Sequence, residues 1–172
     1  MGRNVFFESR RYALAIFLVL MGGIFLTGCE SGENSKAVQE KGIACSEDAL
    51  LKGAKQGERE TVEKCIQAGV DLNYRDSNGC TALLIAAERG DIGIVKSLAK
   101  NGADVNARDK DGYTALMYIA YQGDIGMAEV LLQYGADVRA KDKDGWTALK
   151  FALLQGKTEM AELLKKHGAE GR

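Results

Sequence analysis

The 172-residue sequence contains no proline and only one histidine, and both scarcities limit what the chain can be. The absence of proline fits a chain of short helices joined by glycine turns. Any catalytic triad or histidine-based metal site would have to form around His167, which stands just before a glycine that ends a helix. Because a cation there faces the helix dipole favourably, His167 is predicted to be a surface or capping residue.

Catalytic motifs and an excess of charge of one sign are also missing. The Asp-x-x-Gly turns lack the Gly-Lys-Ser of a phosphate-binding loop, and no pair of carboxylates stands out. The 23 basic and 24 acidic residues are mixed along the chain, so no basic stripe marks a nucleic-acid site. The sequence therefore predicts no enzyme, no metal site, no cofactor, no small-molecule substrate and no nucleic-acid partner.

A phrase that recurs every 33 residues dominates the rest of the chain. It reads DSNGCTALLIAA from Asp76, DKDGYTALMYIA from Asp109 and DKDGWTALKFAL from Asp142. A fixed period of this size predicts stacked supersecondary units. In the middle copy, Thr114 is predicted to cap a short helix that ends at Gly123, and a second helix follows. Both helices are shorter than the roughly 12–15 residues that give marginal stability alone, so stacking must hold them.

On these residues the sequence resembles the ankyrin repeat, in the variants D-x-x-G-x-T-A-L and G-A-D-V-N. The Pro-Leu-His of the family pattern is replaced by Ala-Leu followed by Leu, Met or Lys. The resemblance covers about 45–172 and implies an all-α solenoid of four repeats, at about 45–77, 78–110, 111–143 and 144–172. Asp48 is expected to take the N-cap position of the irregular first repeat. The lysines of the last repeat are expected to form a solvated cap: Lys150, Lys157, Lys165 and Lys166.

The beginning of the chain is predicted to be a targeting segment rather than part of the fold. Three arginines and an apolar run precede Leu26-Thr27-Gly28-Cys29, which resembles the lipobox of bacterial lipoproteins. The resemblance implies a signal peptide at 1–28, acylation of Cys29 and a polar tether at 29–44. An uncleaved membrane anchor is the alternative, although the apolar run is shorter than the roughly 20 residues that span a bilayer. Glu30 favours the outer membrane, so the expected location is the bacterial envelope, facing the periplasm.

The ankyrin resemblance also implies a recognition surface. In the family it consists of the turn tips, the residue before the threonine and the exposed end of the first helix. Four apolar or aromatic residues at such positions, Tyr113, Tyr121, Trp146 and Leu154, are predicted to share one face of repeats 3 and 4. The alternative is that they only pack on each other, whereas Tyr118 and Phe151 are predicted to be core. The remaining positions carried over are Cys80, Ser77, Asn78, Glu88, Arg89, Gln122, Gln155, Lys110, Asp111, Lys143 and Asp144.

Three cysteines remain after Cys29. Cys65 aligns with leucines on the second helices and is predicted to be a small core residue. Cys45 and Cys80 fall near the turn-and-first-helix edge of adjacent repeats and are candidates for a disulfide, which is permitted outside the cytoplasm. The alternative is that their Cα atoms do not come within the required 4.4–6.8 Å or so.

The predicted function is a membrane-tethered binding module that captures another protein on its concave face, without a cofactor or catalysis. One role is immunity against a toxic effector delivered to the periplasm. Another is a stress-related scaffold that supports an envelope enzyme. A purely structural tether and an unrecognised enzyme are the alternatives from other classes, because a fold alone does not specify its use.

Overall fold

Eight short helices, two in each of four repeats, form the regular structure of the computed structural model, which describes residues 45–169. The helices are α1 Glu47–Gln56, α2 Arg59–Gln67, α3 Ala82–Arg89, α4 Ile92–Lys100, α5 Ala115–Gln122, α6 Ile125–Gln133, α7 Ala148–Leu154 and α8 Thr158–Lys166. The predicted signal peptide, the acylated cysteine and the tether lie outside the described residues. Within residues 45–169, no helix is both long and apolar enough to cross a bilayer.

The helices stack in two layers. Within each repeat the first and second helices pack on each other, and each helix also packs on its counterpart in the next repeat. The buried residues are mainly alanine and leucine, with contributions from both layers. Since no helix exceeds ten residues, this stacking rather than helix propensity holds the fold. The predicted all-α repeat solenoid is confirmed.

The ends of the helices follow the repeated sequence, with two differences from prediction. Thr114 occupies the N-cap position, but among the described residues its buried Oγ1 has no hydrogen-bond partner. In the first repeat Ser46, not Asp48, is the N-cap, and its Oγ accepts a hydrogen bond from the Ala49 amide at 3.1 Å. No Asp-x-x-Gly turn precedes α1, so the helix extends back to the serine, and two acidic residues fill its positive first turn. Gly123 ends α5 with φ of 85°, as predicted.

The turns between repeats are joined to each other by hydrogen bonds. The Lys110 amide donates to the Asn78 carbonyl at 3.0 Å, and the Lys143 amide donates to the Asp111 carbonyl at 3.1 Å. Arginine side chains add bonds one repeat apart: Arg75 donates to the Arg108 carbonyl, and Arg108 Nη1 donates to the Lys141 carbonyl at 2.6 Å. The turns therefore form a continuous edge beside the first helices.

Candidate protein-binding surface

One face of the repeats is built from the turns and the first helices, and we call it the inner face. Three rows of residues, spaced 33 apart, occupy it in repeats 2 to 4. They are the residue before the N-cap threonine and the fourth and seventh residues of the first helix. In order, the rows are Cys80, Tyr113 and Trp146; Ile85, Tyr118 and Phe151; and Glu88, Tyr121 and Leu154. The spacing of three places the last two rows on the same side of each helix.

Four rings in repeats 3 and 4 form a continuous aromatic row: Tyr118, Tyr113, Phe151 and Trp146. Successive ring centroids are 5.7, 5.6 and 5.5 Å apart, and the rings are tilted, a favourable arrangement for aromatic pairs. Trp146 is 39% exposed at the end of the row. The prediction that Tyr118 and Phe151 are core is only partly right. Both pack against the buried core, but each remains half-buried, because their helices face no second layer on this side.

A hydrogen bond fixes one end of the aromatic row. The Tyr118 hydroxyl donates to Asp109 Oδ2 at 2.7 Å, while Asp109 Oδ1 accepts from the amides of Asp111 and Tyr113 at 2.9 Å each. Burial and then the bond to this carboxylate raise the pKa of Tyr118, so the hydroxyl stays neutral and acts as a donor. One aspartate therefore shapes the turn and orients the ring.

The row formed by Glu88, Tyr121 and Leu154 is acidic in repeat 2 and aromatic or apolar in repeats 3 and 4. Glu88 is open to solvent, but protein atoms replace part of the water around its carboxylate. This loss of solvation, and then the charge of Asp109, raise the pKa of Glu88, while Lys55 opposes the shift. The inner face therefore has an acidic residue directly beside the aromatic residues of repeat 3.

Comparison with known families agrees with this architecture. A family model described as ankyrin repeats (3 copies) matches residues 24–109 and 94–172. The chain belongs to the ankyrin-repeat family. No curated protein matches it. Ankyrin repeats generally serve as non-enzymatic scaffolds that bind other proteins, and no catalytic family is indicated. In the part of the chain described by the structure, no cluster of His, Cys, Asp and Glu is arranged to hold a metal ion.

Two residues of the expected ankyrin recognition surface make contacts within the protein. Arg89 Nη1 donates to the Lys55 carbonyl at 3.1 Å, and Gln122 Nε2 donates to the Glu88 carbonyl at 2.7 Å. Each side chain thus ties the end of a first helix to the preceding repeat. Gln155 holds the same position in repeat 4 and is exposed.

The other expected recognition residues lie at the surface to different degrees. Leu154 is 54% exposed, and Tyr121 and Tyr113 are half-buried. The side chains at the turn tips are all exposed: Lys110, Asp111, Lys143 and Asp144. The backbone amides of Lys110 and Lys143 are used in the hydrogen bonds between turns. Their part in binding stays a prediction.

The cysteines are distributed between the core and the inner face. Cys65 is fully buried, as predicted, and Cys80 is half-buried in the same row as Tyr113. Cys45 and Cys80 are both free thiols in this structure, so the candidate disulfide between them is not present. Its thiol instead contacts that of Cys65. Burial, and then the hydrogen bond with Cys45, raise the pKa of Cys65 to about 12, which makes it an inert thiol.

Proposed function

We propose that this ankyrin domain binds another protein through its inner face, with the main contacts on repeats 3 and 4. The observation that carries the proposal is the aromatic row, which ends at the exposed Trp146 beside the even more exposed Leu154. Tryptophan and tyrosine are enriched among the residues that dominate binding energy at protein interfaces. Neighbouring repeats therefore present a large, adjacent apolar surface with polar groups around it.

The restricted motion of the rings in the aromatic row favours a role in binding over packing alone. Rings held by their neighbours lose little side-chain freedom when a partner arrives, and this lowers the entropic cost of association. The Tyr118 hydroxyl is held by Asp109, and Phe151 lies against both Tyr113 and Trp146. Packing within the protein accounts for the ring edges that contact one another. It leaves more than a third of the Trp146 side chain and about half of the Leu154 side chain exposed to water.

We further propose that the domain is held at the bacterial envelope by lipid on Cys29, with residues 29–44 as a tether and the domain facing the periplasm. The lipobox-like sequence supports this proposal. In that location the partner would be an envelope protein or a toxic effector that the module neutralises. The outer membrane is favoured by Glu30, and a purely structural tether remains the alternative.

Site-specific photo-crosslinking of the full chain tests the inner face. A benzophenone amino acid in place of Tyr121 or Leu154 is expected to give an adduct with one protein in living cells. The same amino acid at Lys96 or Glu129, which are exposed on second helices, serves as the control. Adducts of equal yield at all four positions, or none at the inner-face pair, would contradict the proposal.

A further inference from the structure

Two exposed lysines stand at positions that are occupied differently in the preceding repeats: Lys141, at the end of repeat 3, and Lys150, on α7 of repeat 4. Lys150 aligns with Leu84 and Met117, each 1% exposed beneath the repeat that follows it. Lys141 aligns with Arg75 and Arg108, whose guanidinium groups donate to carbonyl oxygens of the next turn. Repeat 4 is the last repeat in the structure, and among the described residues neither lysine side chain makes a hydrogen bond or an ion pair.

These two lysines line a cavity of about 520 Å³ at the end of the solenoid, which we call the basic pocket. Arg139 and Trp146 also line it, and Val138 and Ala169 complete its apolar wall. Arg139 Nε donates to the Gly168 carbonyl at 3.1 Å, and its terminal guanidinium nitrogens make no hydrogen bond to any other residue that the structure describes. Three cations and an indole ring therefore surround one recess.

Among residues 45–169, no acidic side chain lines the basic pocket. Asp142 is near in sequence but 8% exposed, and its Oδ1 accepts hydrogen bonds from the amides of Asp144 and Trp146 at 2.9 and 2.7 Å. Its charge is thus directed at the backbone of the turn. Arginine and lysine around this recess match the carboxylates of aspartate and glutamate, and charge-assisted hydrogen bonds to such groups are stronger than neutral ones.

We propose that the basic pocket binds an acidic peptide segment, and that this segment belongs to the protein captured on the inner face. The second part rests on the proposed function. Trp146 connects the two regions, because it belongs to both the aromatic row and the wall of the basic pocket. A partner whose apolar side chains cover repeats 3 and 4 therefore places the adjoining acidic residues among Arg139, Lys141 and Lys150.

A peptide fits the recess better than a lipid surface does. The cations are arranged around a cavity beside a partly exposed indole, whereas a flat bilayer is contacted by side chains that project together. An extended segment carrying several carboxylates can enter the cavity and reach more than one cation. We therefore expect a linear acidic peptide to bind without any other part of the partner.

The only tryptophan of the chain gives a direct readout, because Trp146 lines the basic pocket. The full chain in a zwitterionic detergent is titrated with hexaglutamate, and uncharged hexaglutamine serves as the matched probe. Hexaglutamate is expected to change the fluorescence saturably, and added salt is expected to weaken binding. The double variant Lys141→Gln/Lys150→Gln should bind about five- to twentyfold more weakly, from the modest value of each exposed ion pair.

The control is Lys165→Gln/Lys166→Gln, which removes the same charge from the end of α8 and should retain the affinity. An equal loss in this control, or no response to hexaglutamate, overturns the proposal. So does an equal response to inorganic phosphate, or binding to phosphatidylglycerol vesicles without binding to the peptide. Crosslinking at Tyr121 and Leu154 reports on the inner face separately from the peptide titration. If no adducts form but hexaglutamate still binds, only the proposed function and the link between the two sites are rejected.

Discussion

The inner face differs between the two halves of the solenoid, while the buried frame is the same in both. Each first helix buries a leucine at the same position, and the four are at most 1% exposed: Leu50, Leu83, Leu116 and Leu149. The two helix rows of the inner face change instead from charged to aromatic and apolar. From the first repeat to the last they are Lys52 and Lys55, Ile85 and Glu88, Tyr118 and Tyr121, and Phe151 and Leu154.

This comparison separates what the fold requires from what a partner would use. Stacking depends on the conserved geometry of the buried positions, so a lysine and a phenylalanine serve equally well on the inner face. Stacking of the repeats does not require the gradient toward aromatic residues, and under the proposed function we attribute it to binding. The proposal therefore puts the main contact on repeats 3 and 4, with repeats 1 and 2 as support.

The largest expected effect comes from truncating the exposed ring in the aromatic half. Trp146→Ala should weaken partner binding by about 2 kcal/mol, or roughly thirtyfold, because rings at such positions dominate interface energies. The melting temperature should change little, since the side chain is 39% exposed. Isothermal titration calorimetry with the partner that crosslinking identifies measures the affinity, and Lys52→Ala in repeat 1 is the control. An unfolded Trp146→Ala protein would show that the ring is a core residue.

A second comparison is between an internal turn and the terminal one. Gly112 and Gly145 have φ of 87° and 79°, but a Cβ on Gly112 would lie 3.1 Å from the Lys143 amide nitrogen, whereas a Cβ on Gly145 has no atom of the described residues within 4 Å. The left-handed backbone alone costs an alanine about 1–2 kcal/mol. Gly112→Ala should therefore destabilise by about 1 kcal/mol more than Gly145→Ala. If urea unfolding shows that both variants lose the same free energy of unfolding, the contact between turns does not contribute to stability.

Removing one hydroxyl should have a smaller effect. Tyr118→Phe deletes the 2.7 Å hydrogen bond to Asp109 and leaves Oδ2 without this donor. We expect a loss of about 1 kcal/mol in the free energy of unfolding, the usual net value of one hydrogen bond. Tyr121→Phe, which alters a half-buried tyrosine one turn further along the same helix, is the matched control and should lose less.

The smallest expected effect is a change with pH in the stability that Glu88 contributes. The folded pKa of Glu88 is raised above its ordinary value near 4.5, so the protonated form is favoured in the folded state. The stability that Glu88 contributes is therefore present below pH 4.5 and is lost as the pH rises through the folded pKa. Glu88→Gln should melt slightly higher than the wild type at pH 7, and the difference should disappear at pH 4. A variant that is less stable at pH 7 would contradict this sign.

The sequence predicted the helices, their glycine ends and the buried Cys65, because the 33-residue period determines these features locally. It did not predict the start of α1, since Ser46 lies outside the repeated pattern. Arg89 and Gln122 were missed as links between repeats because their carbonyl partners depend on the offset between neighbouring helices. The aromatic row had a visible signal: Tyr118 and Phe151 occupy the same position one repeat apart, four residues after the N-cap threonine.

The position of repeat 4 gives it a distinct dynamic role. Among the described residues it packs on one neighbouring repeat, through contacts of α7 with α5 and of α8 with α6 and through the 3.1 Å bond from Arg139 Nε to the Gly168 carbonyl, so we expect it to open before the repeats in the middle. Repeat 4 also carries Trp146 and Leu154. A partner that needs these residues can bind only the closed form, and its apparent affinity is scaled by the closed fraction. Under the proposed function, contacts that only hold the last repeat in place would thereby help to set the affinity of the domain for its partner.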